Sequence, residues 1–160
     1  MLNIASMRNL EGRFQEAREI AEKLSASYPK MLGPRQLIGL TYIEEGHPDQ
    51  ALKNLEPLKN VVPFAPFREA MAKARAGQRD EVLRLIRPYE EKYPNPGVSM
   101  QWFASVYAFM GDEANTIQWL ERSADRREWA ALNIAINTIY APMRNSPGFR
   151  ALERRIGLAE

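Results

Sequence analysis

The chain has 160 residues, of which 45% are hydrophobic and 26% are charged, and its formal net charge at pH 7 is +2. These proportions are those of a globular protein rather than of a disordered, collagenous or membrane-embedded chain. The absence of cysteine excludes disulfide scaffolds and thiolate metal sites, and basic residues that alternate with acidic ones argue against a dedicated nucleic-acid-binding protein.

The predicted elements begin at the N-terminus without a targeting signal. MLNIASMRNLEGRF has no basic start followed by an apolar run, so we expect a cytoplasmic protein, or a periplasmic one if the chain is a fragment of an exported or anchored protein. The longest uncharged stretch, from Tyr93 to Gly111, contains prolines and polar side chains and is a poor membrane span. We expect no membrane segment, and a helix buried on most sides in that stretch.

Four helix pairs are predicted in chain order, each joined by a glycine. Gly12, Gly46, Gly77 and Gly111 recur at spacings of 34, 31 and 34 residues. Each lies between two amphipathic stretches, where the end of a helix needs a left-handed residue that glycine adopts without strain. The predicted helices span about 1–10 and 14–27, 33–45 and 48–60, 66–76 and 79–92, and 98–110 and 113–126.

Small residues occupy the position where the first helix of each pair must approach the second. They are Ser6, Gly39, Ala70 and Ala104. The facing positions on the second helices hold Ala17, Ala51, Val82 and Thr116. A larger group there would force the helices apart, at a cost of about 1–3 kcal/mol.

Prolines lie after or inside the second helices of the predicted pairs. Pro29, Pro63 and Pro94 are expected to follow the ends of these helices, because proline cannot continue a helix. Pro57 and Pro88 fall inside two of the predicted helices, and we expect a kink or a break at each.

The regular pattern stops near Glu128, where a fourth proline would be expected. The apolar stretch from Trp129 to Tyr140 predicts a further helix packed on the array. Ser146 before Pro147 predicts a helix start, and Gly157 predicts its end. Apolar residues at helical spacing on this last helix would cover the exposed end of the fourth unit: Phe149, Leu152 and Ile156.

The stretch LIGLTYIEEGHPDQALKNLEPL resembles a tetratricopeptide repeat (TPR). Its small, aromatic, turn and packing positions hold Gly39, Tyr42, Gly46, Ala51 and Leu55. The resemblance implies an all-α, right-handed α-solenoid of about four TPR-like helix pairs with C-terminal capping helices. As one domain over 1–160, it would comprise an incomplete first repeat at 1–31, then repeats at 32–62, 63–96 and 97–128, and a capping segment at 129–160. The missing opening residues of the first repeat suggest either a fragment or a repeat left incomplete at the start.

The last third of the chain is similar to the end of the TPR region in bacterial multidomain regulators, where the array is joined to a winged-helix domain, a nucleotide cyclase or a Ser/Thr kinase. Thr116 departs from the usual alanine of that pattern, and Asn145-Ser146 stands where an acidic residue is common. The similarity implies a scaffold within a larger signalling or transcription regulator. It rests on Gly111, Asp112, Trp119, Leu120, Glu121, Met143, Arg144, Pro147, Phe149, Leu152, Arg155, Gly157 and Leu158.

Candidates for chemistry are few. His47 is the only histidine, and without a second histidine or a cysteine it is predicted to be a solvated turn residue. Glu44 and Glu45 are adjacent on a helix and point about 100° apart, so we expect a solvated helix end rather than an acid–base pair. The chain contains no Gly-rich phosphate loop, GxSxG or HExxH motif. We therefore expect no enzymatic activity, no cofactor and no metal.

The repeat pattern places one set of first-helix residues on a concave groove, and its mixed aliphatic, aromatic and polar character suits an extended peptide or an amphipathic helix. Alternatively, each apolar member covers a neighbouring repeat or the capping helix. The positions that hold a peptide carboxylate in chaperone-binding TPRs carry Asn3, Met7 and Gln36, so we do not expect such a clamp. The predicted groove residues are Asn3, Met7, Gln36, Leu40, Ile43, Phe67, Met71, Arg75, Gln101, Ser105 and Phe109.

The leading hypothesis is a protein- or peptide-binding scaffold. One alternative is self-assembly into a homo-oligomer, through the uncapped first repeat or through helix 98–110. A second is phosphate or nucleic-acid contact through a C-terminal arginine cluster, although interspersed acidic residues favour local ion pairs there. The cluster comprises Arg122, Arg126, Arg127, Arg144, Arg150, Arg154 and Arg155.

Overall fold

The computed structural model describes residues 1–94, 97–128 and 133–158. In these ranges all regular structure is helical, which confirms the predicted all-α class. The α-helices are Leu2–Leu10 (α1), Phe14–Ser27 (α2), Leu32–Glu45 (α3), Pro48–Leu55 (α4), Ala65–Arg75 (α5), Arg79–Glu91 (α6), Met100–Phe109 (α7), Glu113–Asp125 (α8) and Pro147–Arg155 (α9). Short 3-10 helices also span Glu56–Leu58 and Thr138–Met143.

The first eight α-helices form the four predicted pairs. A glycine lies in the connection of each pair, as expected, and the four glycines all have a positive φ, between 70° and 83°. At Gly46 this residue is the left-handed C-cap of α3, and its amide donates to the carbonyl of Ile43 at 3.1 Å. Positive φ is strained for other residues, so these positions explain the glycine spacing.

The close approach of α3 and α4 depends on Gly39. A Cβ atom built on Gly39 would lie 2.6 Å from both Cγ and Cδ2 of Leu55, closer than packed carbon atoms approach. Ala51, which faces the same interface, is fully buried. The small positions therefore set the separation of the helices in this pair, as the sequence indicates.

The two internal prolines behave differently. α4 ends at Leu55, two residues before Pro57, and the chain continues as a 3-10 helix, so the predicted break is present. α6, by contrast, runs through Pro88 to Glu91 without a break. The second helix of the second pair is therefore five residues shorter than the sequence predicts.

An aromatic cluster fills the core between the third and fourth pairs. The rings of Phe103 and Trp119 are stacked with their centroids 4.2 Å apart, and Phe67 meets Phe103 edge to face at 4.9 Å. α7 is buried along most of its length, as predicted, so its described residues offer no continuous apolar face to a second copy. Self-assembly through helix 98–110 stays a prediction, and this burial argues against it. Among the described helices, none has the length and apolar character needed to cross a membrane.

The predicted helix over Trp129–Tyr140 is corrected in its described part, while residues 129–132 lie outside the described ranges. Residues 134–136 form a turn, and a 3-10 helix follows at Thr138–Met143. The side chain of Asn137 accepts a hydrogen bond from the amide of Ile139 at 3.1 Å, and Pro142 has no amide hydrogen to donate. Both features oppose a continuous α-helix.

The capping helix α9 forms where it is predicted. Ser146 Oγ accepts a hydrogen bond from the amide of Phe149 at 3.1 Å, and Gly157 follows the helix with a φ of +78°. Phe149 and Leu152 are buried, and Ile156 is half-buried. α9 packs against α8, so it covers this end of the fourth pair.

Candidate functional site

The first helices of the four pairs lie side by side, α1 against α3, α3 against α5 and α5 against α7. We call the surface that α1, α3, α5 and α7 form the A face. Residues 133–143, which we call the C-terminal segment, lie against it. The segment contacts α7 through its 3-10 helix and reaches α3 through Thr138. It therefore lies across the surface that the sequence predicts to be an open groove.

Glu44 at the end of α3 connects the C-terminal segment to the A face. Its side chain accepts a hydrogen bond from Asn9 Nδ2 at 2.7 Å on one oxygen and from the hydroxyl of Thr138 on the other. Glu44 is only 8% exposed, and this burial raises the pKa of its carboxyl, although the two hydrogen bonds and the nearby Arg68 and Arg75 oppose the rise. The predicted solvated helix end is therefore wrong at Glu44.

Glu45 points in another direction, as predicted for adjacent helical residues. It forms an ion pair with Arg18 of α2, whose guanidinium also lies 4.5 Å from the ring centroid of Tyr42. Glu45 is thus engaged between helix pairs rather than freely solvated, which corrects the second half of that prediction. His47 is exposed in its turn, as expected, and meets Tyr42 edge to face with centroids 6.5 Å apart.

Tyr140 fixes the other end of the C-terminal segment. Its side chain is fully buried, and its hydroxyl lies 3.3 Å from Ser105 Oγ on α7. Burial raises the pKa of Tyr140 to about 12, so the hydroxyl stays protonated at neutral pH. The ring also packs on Phe149 of α9, with centroids 6.1 Å apart. The segment is therefore held between the A face and the capping helix.

Several predicted groove residues are core residues instead. Ile43, Phe67 and Met71 are at most 1% exposed, because the neighbouring helices cover them. Ser105 is 4% exposed and lies against Tyr140. The prediction that Ile43, Phe67 and Met71 line an open groove is corrected, and the alternative, that apolar members cover neighbouring units, holds for these three. Ser105 lines the cavity described below.

The other predicted groove residues remain at the surface or in a cavity. Met7 and Asn3 are exposed on α1. Arg75 donates hydrogen bonds to the carbonyls of Ile43 at 3.2 Å and Glu44 at 2.9 Å, and its guanidinium lies 5.5 Å from the ring centroid of the half-buried Phe109. Arg75 therefore caps the end of α3, where unpaired carbonyls need donors.

A cavity of about 310 Å³ lies between the A face and the C-terminal segment. Gln36, Leu40 and Gln101, all predicted groove residues, line it together with Asn9 and Arg68, which sequence reasoning missed. Helical spacing is the signal for Arg68, since it precedes the predicted Met71 and Arg75 by three and seven positions. Asn133 and Asn137 also line the cavity, but their position there depends on long-range packing, which no local sequence pattern signals.

The C-terminal arginine cluster is largely engaged in local contacts. Arg155 pairs with Glu121 at 3.3 Å and with Asp125, as the interspersed acidic residues suggest. Arg122 and Arg126 lie over the rings of Trp119 and Tyr93, at 4.8 and 5.7 Å from the centroids. Arg144 donates to the carbonyl of Asn137 and Arg150 to the side chain of Asn145, while Arg127 and Arg154 are exposed. Of these contacts, only the ion pairs of Arg155 bring an acidic partner to the cluster, and contact with phosphate or nucleic acid stays a prediction.

The described residues contain no group of three or more histidine, aspartate or glutamate side chains that could hold a metal ion. Comparisons with family models, with curated proteins and with solved structures found no match to the chain. The features of the described residues that could serve binding are the A face, the C-terminal segment that covers it and the cavity between them.

Proposed function

We propose that the chain is a non-enzymatic binding scaffold, a right-handed, TPR-like α-solenoid whose A face binds a segment of polypeptide. The four helix pairs, the left-handed glycines that join them and the close approach at Gly39 support the repeat architecture. The similarity of the last third to bacterial regulators supports a role within a larger signalling or transcription regulator.

The observation that carries this proposal is the position of the chain's own C-terminal segment. An irregular stretch of polypeptide lies on the A face, with Thr138 bonded to Glu44 and Tyr140 to Ser105. A surface that holds such a segment within the chain has the polar and apolar groups to hold one from a partner. The partner would displace the segment, and would fit best with a hydroxyl for Glu44 and an aromatic ring near Ser105.

Peptides selected from a displayed random library against the full chain test this proposal. Their affinity should fall by about tenfold or more in Leu40→Glu, which places a charge among the half-buried side chains of the A face. Arg84→Glu, at an exposed position on α6, is the matched control and should leave the affinity unchanged. Selected peptides that bind both variants equally well would place the binding surface elsewhere and contradict the proposal.

A second candidate function is self-association through the first pair. Large apolar residues of the first pair and the turn after it have between 41% and 73% of their surface exposed. They are Met1, Ile4, Met7, Tyr28 and Met31. Clustered exposed apolar groups are typical of protein interfaces. Light scattering over a concentration series should then show dimers that Ile4→Glu abolishes, whereas a monomer at every concentration would contradict this candidate.

A further inference from the structure

The side of α1 that points away from the cavity carries exposed apolar side chains. Ile4 is 53% exposed and Met7 is 43% exposed, and the two lie about one helical turn apart. Leu2 and Ser6, which line the cavity, lie on the other side of the same helix. We call the surface that Ile4 and Met7 form the outer side of α1. It is separate from the surface that the C-terminal segment covers.

The same positions are buried in the later pairs. Met7 lies five residues before the joining glycine of its pair, and its three equivalents are fully buried: Thr41, Ala72 and Val106. Ile4 lies eight residues before that glycine. Its equivalents in the second and fourth pairs, Ile38 and Phe103, are at most 6% exposed, and Glu69 in the third pair is half-buried. The outer side of α1 therefore differs in exposure from the matching surfaces elsewhere in the chain.

A helix covers each of the matching surfaces. Arg18 of α2 donates a hydrogen bond from Nη1 to the hydroxyl of Thr41 on α3, at 3.3 Å. α4 packs against α5, and Glu90 of α6 accepts a hydrogen bond from the hydroxyl of Tyr107 on α7, at 2.7 Å. In each case the covering helix is the second helix of the preceding pair. Among the described residues, no such helix lies against α1.

The other end of the array shows the same kind of covering element. α9 packs against α8 so closely that a Cβ atom built on Gly148 would lie 2.7 Å from Cδ1 of Ile117. Ile117 is the equivalent of Arg18, because each lies six residues after the joining glycine of its pair. An amphipathic helix therefore completes the array at this end, and the outer side of α1 has the apolar character to accept one.

The second helices also indicate how such a helix would lie. Their contacts to the next first helix come from positions six and thirteen residues after the joining glycine, as at Arg18 and Glu90, and Ala21 at position nine shares an apolar cluster with Ile38. These positions have the spacing i, i+3 and i+7, which is one face of an α-helix. Arg18, near the start of α2, pairs with Glu45 at the end of α3, so the covering helix runs antiparallel.

A second copy of this chain has no free helix of the same kind to supply. Among the described helices, α2, α4 and α6 already contact the following first helix, and α8 contacts α9. Two copies could meet only in another way, for example through their own α1 helices. The pattern within the chain therefore favours a helix from a different protein.

We propose that the outer side of α1 binds an amphipathic helix of a partner protein, antiparallel to α1, with apolar side chains at i, i+3 and i+7 packed on Ile4 and Met7. Exposed methionine-containing surfaces suit such helices because methionine adapts its shape to the side chains that it meets. An open depression beside the start of α1 extends the surface, and it is lined by Met1, Leu2, Asn3, Leu24, Tyr28 and Met31. The site is independent of peptide binding on the A face.

A displayed library of helical peptides tests the assignment on the full chain. Its members share a framework of alanine, glutamate and lysine and are randomised at positions i, i+3 and i+7. A control library is randomised at i, i+2 and i+5, which distributes the same number of side chains around the helix. Selection should enrich apolar residues at all three positions of the first library and should enrich no sequence from the second.

Variants of the chain locate the binding surface. The dissociation constant of the selected peptide, made synthetically and followed by fluorescence anisotropy, should rise about tenfold or more in Ile4→Glu and in Met7→Glu, because each buries a charge under the helix. Val61→Glu, at a 60% exposed apolar position on another surface, is the matched control and should bind like the wild type. Leu40→Glu, on the A face, should also leave this affinity unchanged.

Methionine methyl NMR supplies a readout at the site itself. The methyl resonance of Met7 should shift saturably with the selected peptide, whereas that of Met71, which is fully buried in the core, should not. A spin label at the C-terminus of the peptide should broaden the Met1 methyl resonance more than a label at its N-terminus does, because the helix runs antiparallel to α1.

Three results would overturn the assignment. One is the absence of a saturable shift at Met7, or the opposite broadening pattern at Met1. Another is a peptide whose binding is lost in Leu40→Glu and kept in Ile4→Glu, which would place the helix on the A face and support the scaffold function alone. The third is a dimer of the chain that Ile4→Glu abolishes while no selected peptide binds, which would assign the outer side of α1 to a second copy.

Discussion

The hydroxyl of Thr138 donates a hydrogen bond to the carboxylate of Glu44, 94 residues earlier in the chain. The same carboxylate accepts a hydrogen bond from Asn9 on α1, at 2.7 Å. One buried acid therefore joins the first helix, the second pair and the C-terminal segment. Since a buried carboxylate is tolerated only when its oxygens are bonded, the placement of the segment and the protonation of Glu44 are linked.

Replacing Thr138 by valine should destabilise the protein by about 1–3 kcal/mol, because one oxygen of a buried carboxylate loses its donor while the shape of the side chain is kept. Thr138→Ser retains the hydroxyl and should lose less stability than Thr138→Val. Urea unfolding at pH 7, followed by circular dichroism, measures both changes, provided that the variants and the wild type have the same m-value. Valine and wild type of equal stability would show that the hydrogen bond does not hold the segment.

The buried carboxyl of Glu44 should also give the protein a specific pH dependence. Burial raises its folded-state pKa above the unfolded value of about 4.3, so the folded state holds the proton more tightly. The stability that Glu44 contributes is fully present below the unfolded pKa and is lost as the pH rises through the raised folded pKa. The free energy of unfolding of the wild type, relative to Glu44→Gln, should therefore fall from about pH 4 to pH 7.

Chemical denaturation at several pH values, on the wild type and on Glu44→Gln, provides the measurement. Glu22→Gln, at an exposed position on α2, is the matched control for the loss of one carboxylate. A relative stability that rises with pH over this range would mean that hydrogen bonding to the charged form of Glu44 outweighs its burial.

Gly39→Ala should destabilise the protein by about 1–3 kcal/mol, because the added methyl would lie 2.6 Å from Leu55 and would separate α3 from α4. In a Leu55→Ala background the space is available, so the same substitution should cost much less. A double-mutant cycle of unfolding free energies isolates this coupling, which should reach about 1 kcal/mol or more. Additive effects would indicate that the helices adjust without strain.

Ser146→Ala should lower the free energy of unfolding by about 1 kcal/mol, because Ser146 Oγ accepts a hydrogen bond from the amide of Phe149 at the start of α9. Amide hydrogen exchange should accelerate within Pro147–Arg155 first, since this helix packs at the end of the array. Ser27→Ala, at the exposed end of α2, should leave exchange in α9 unchanged. Uniform acceleration along the whole chain would instead show that α9 unfolds only with the rest of the protein.

Local signals predicted most of the fold, and long-range contacts account for what they missed. The turn glycines and the periodic small residues are local signals in the sequence, and they mark where each helix begins and ends. Seven of the eight paired helices therefore begin and end within two residues of their predicted bounds. α4 is the exception, because Pro57 ends it early. The C-terminal segment was predicted as a helix because its apolar content resembles one, while Asn137 and Pro142 favour a 3-10 turn.

The candidate site was harder to predict for a physical reason. A repeat pattern indicates which face a side chain occupies, but it does not indicate what lies on that face. Phe67 and Met71 face the predicted side and are buried by their neighbours, whereas Arg68 reaches the cavity beside them. The hydrogen bond between Glu44 and Thr138 depends on the complete fold, and no local pattern in either region signals it.

The central claim is that the A face binds polypeptide and that the C-terminal segment occupies it within the chain. Amide hydrogen exchange on the full chain, with and without a library-selected peptide, tests it most directly. The claim predicts that a bound peptide accelerates exchange in residues 133–143, including the amides of Ile139 and Tyr140 that bond to Asn137, while exchange in α2 stays unchanged. Unchanged or slower exchange in residues 133–143 with the peptide bound would contradict it.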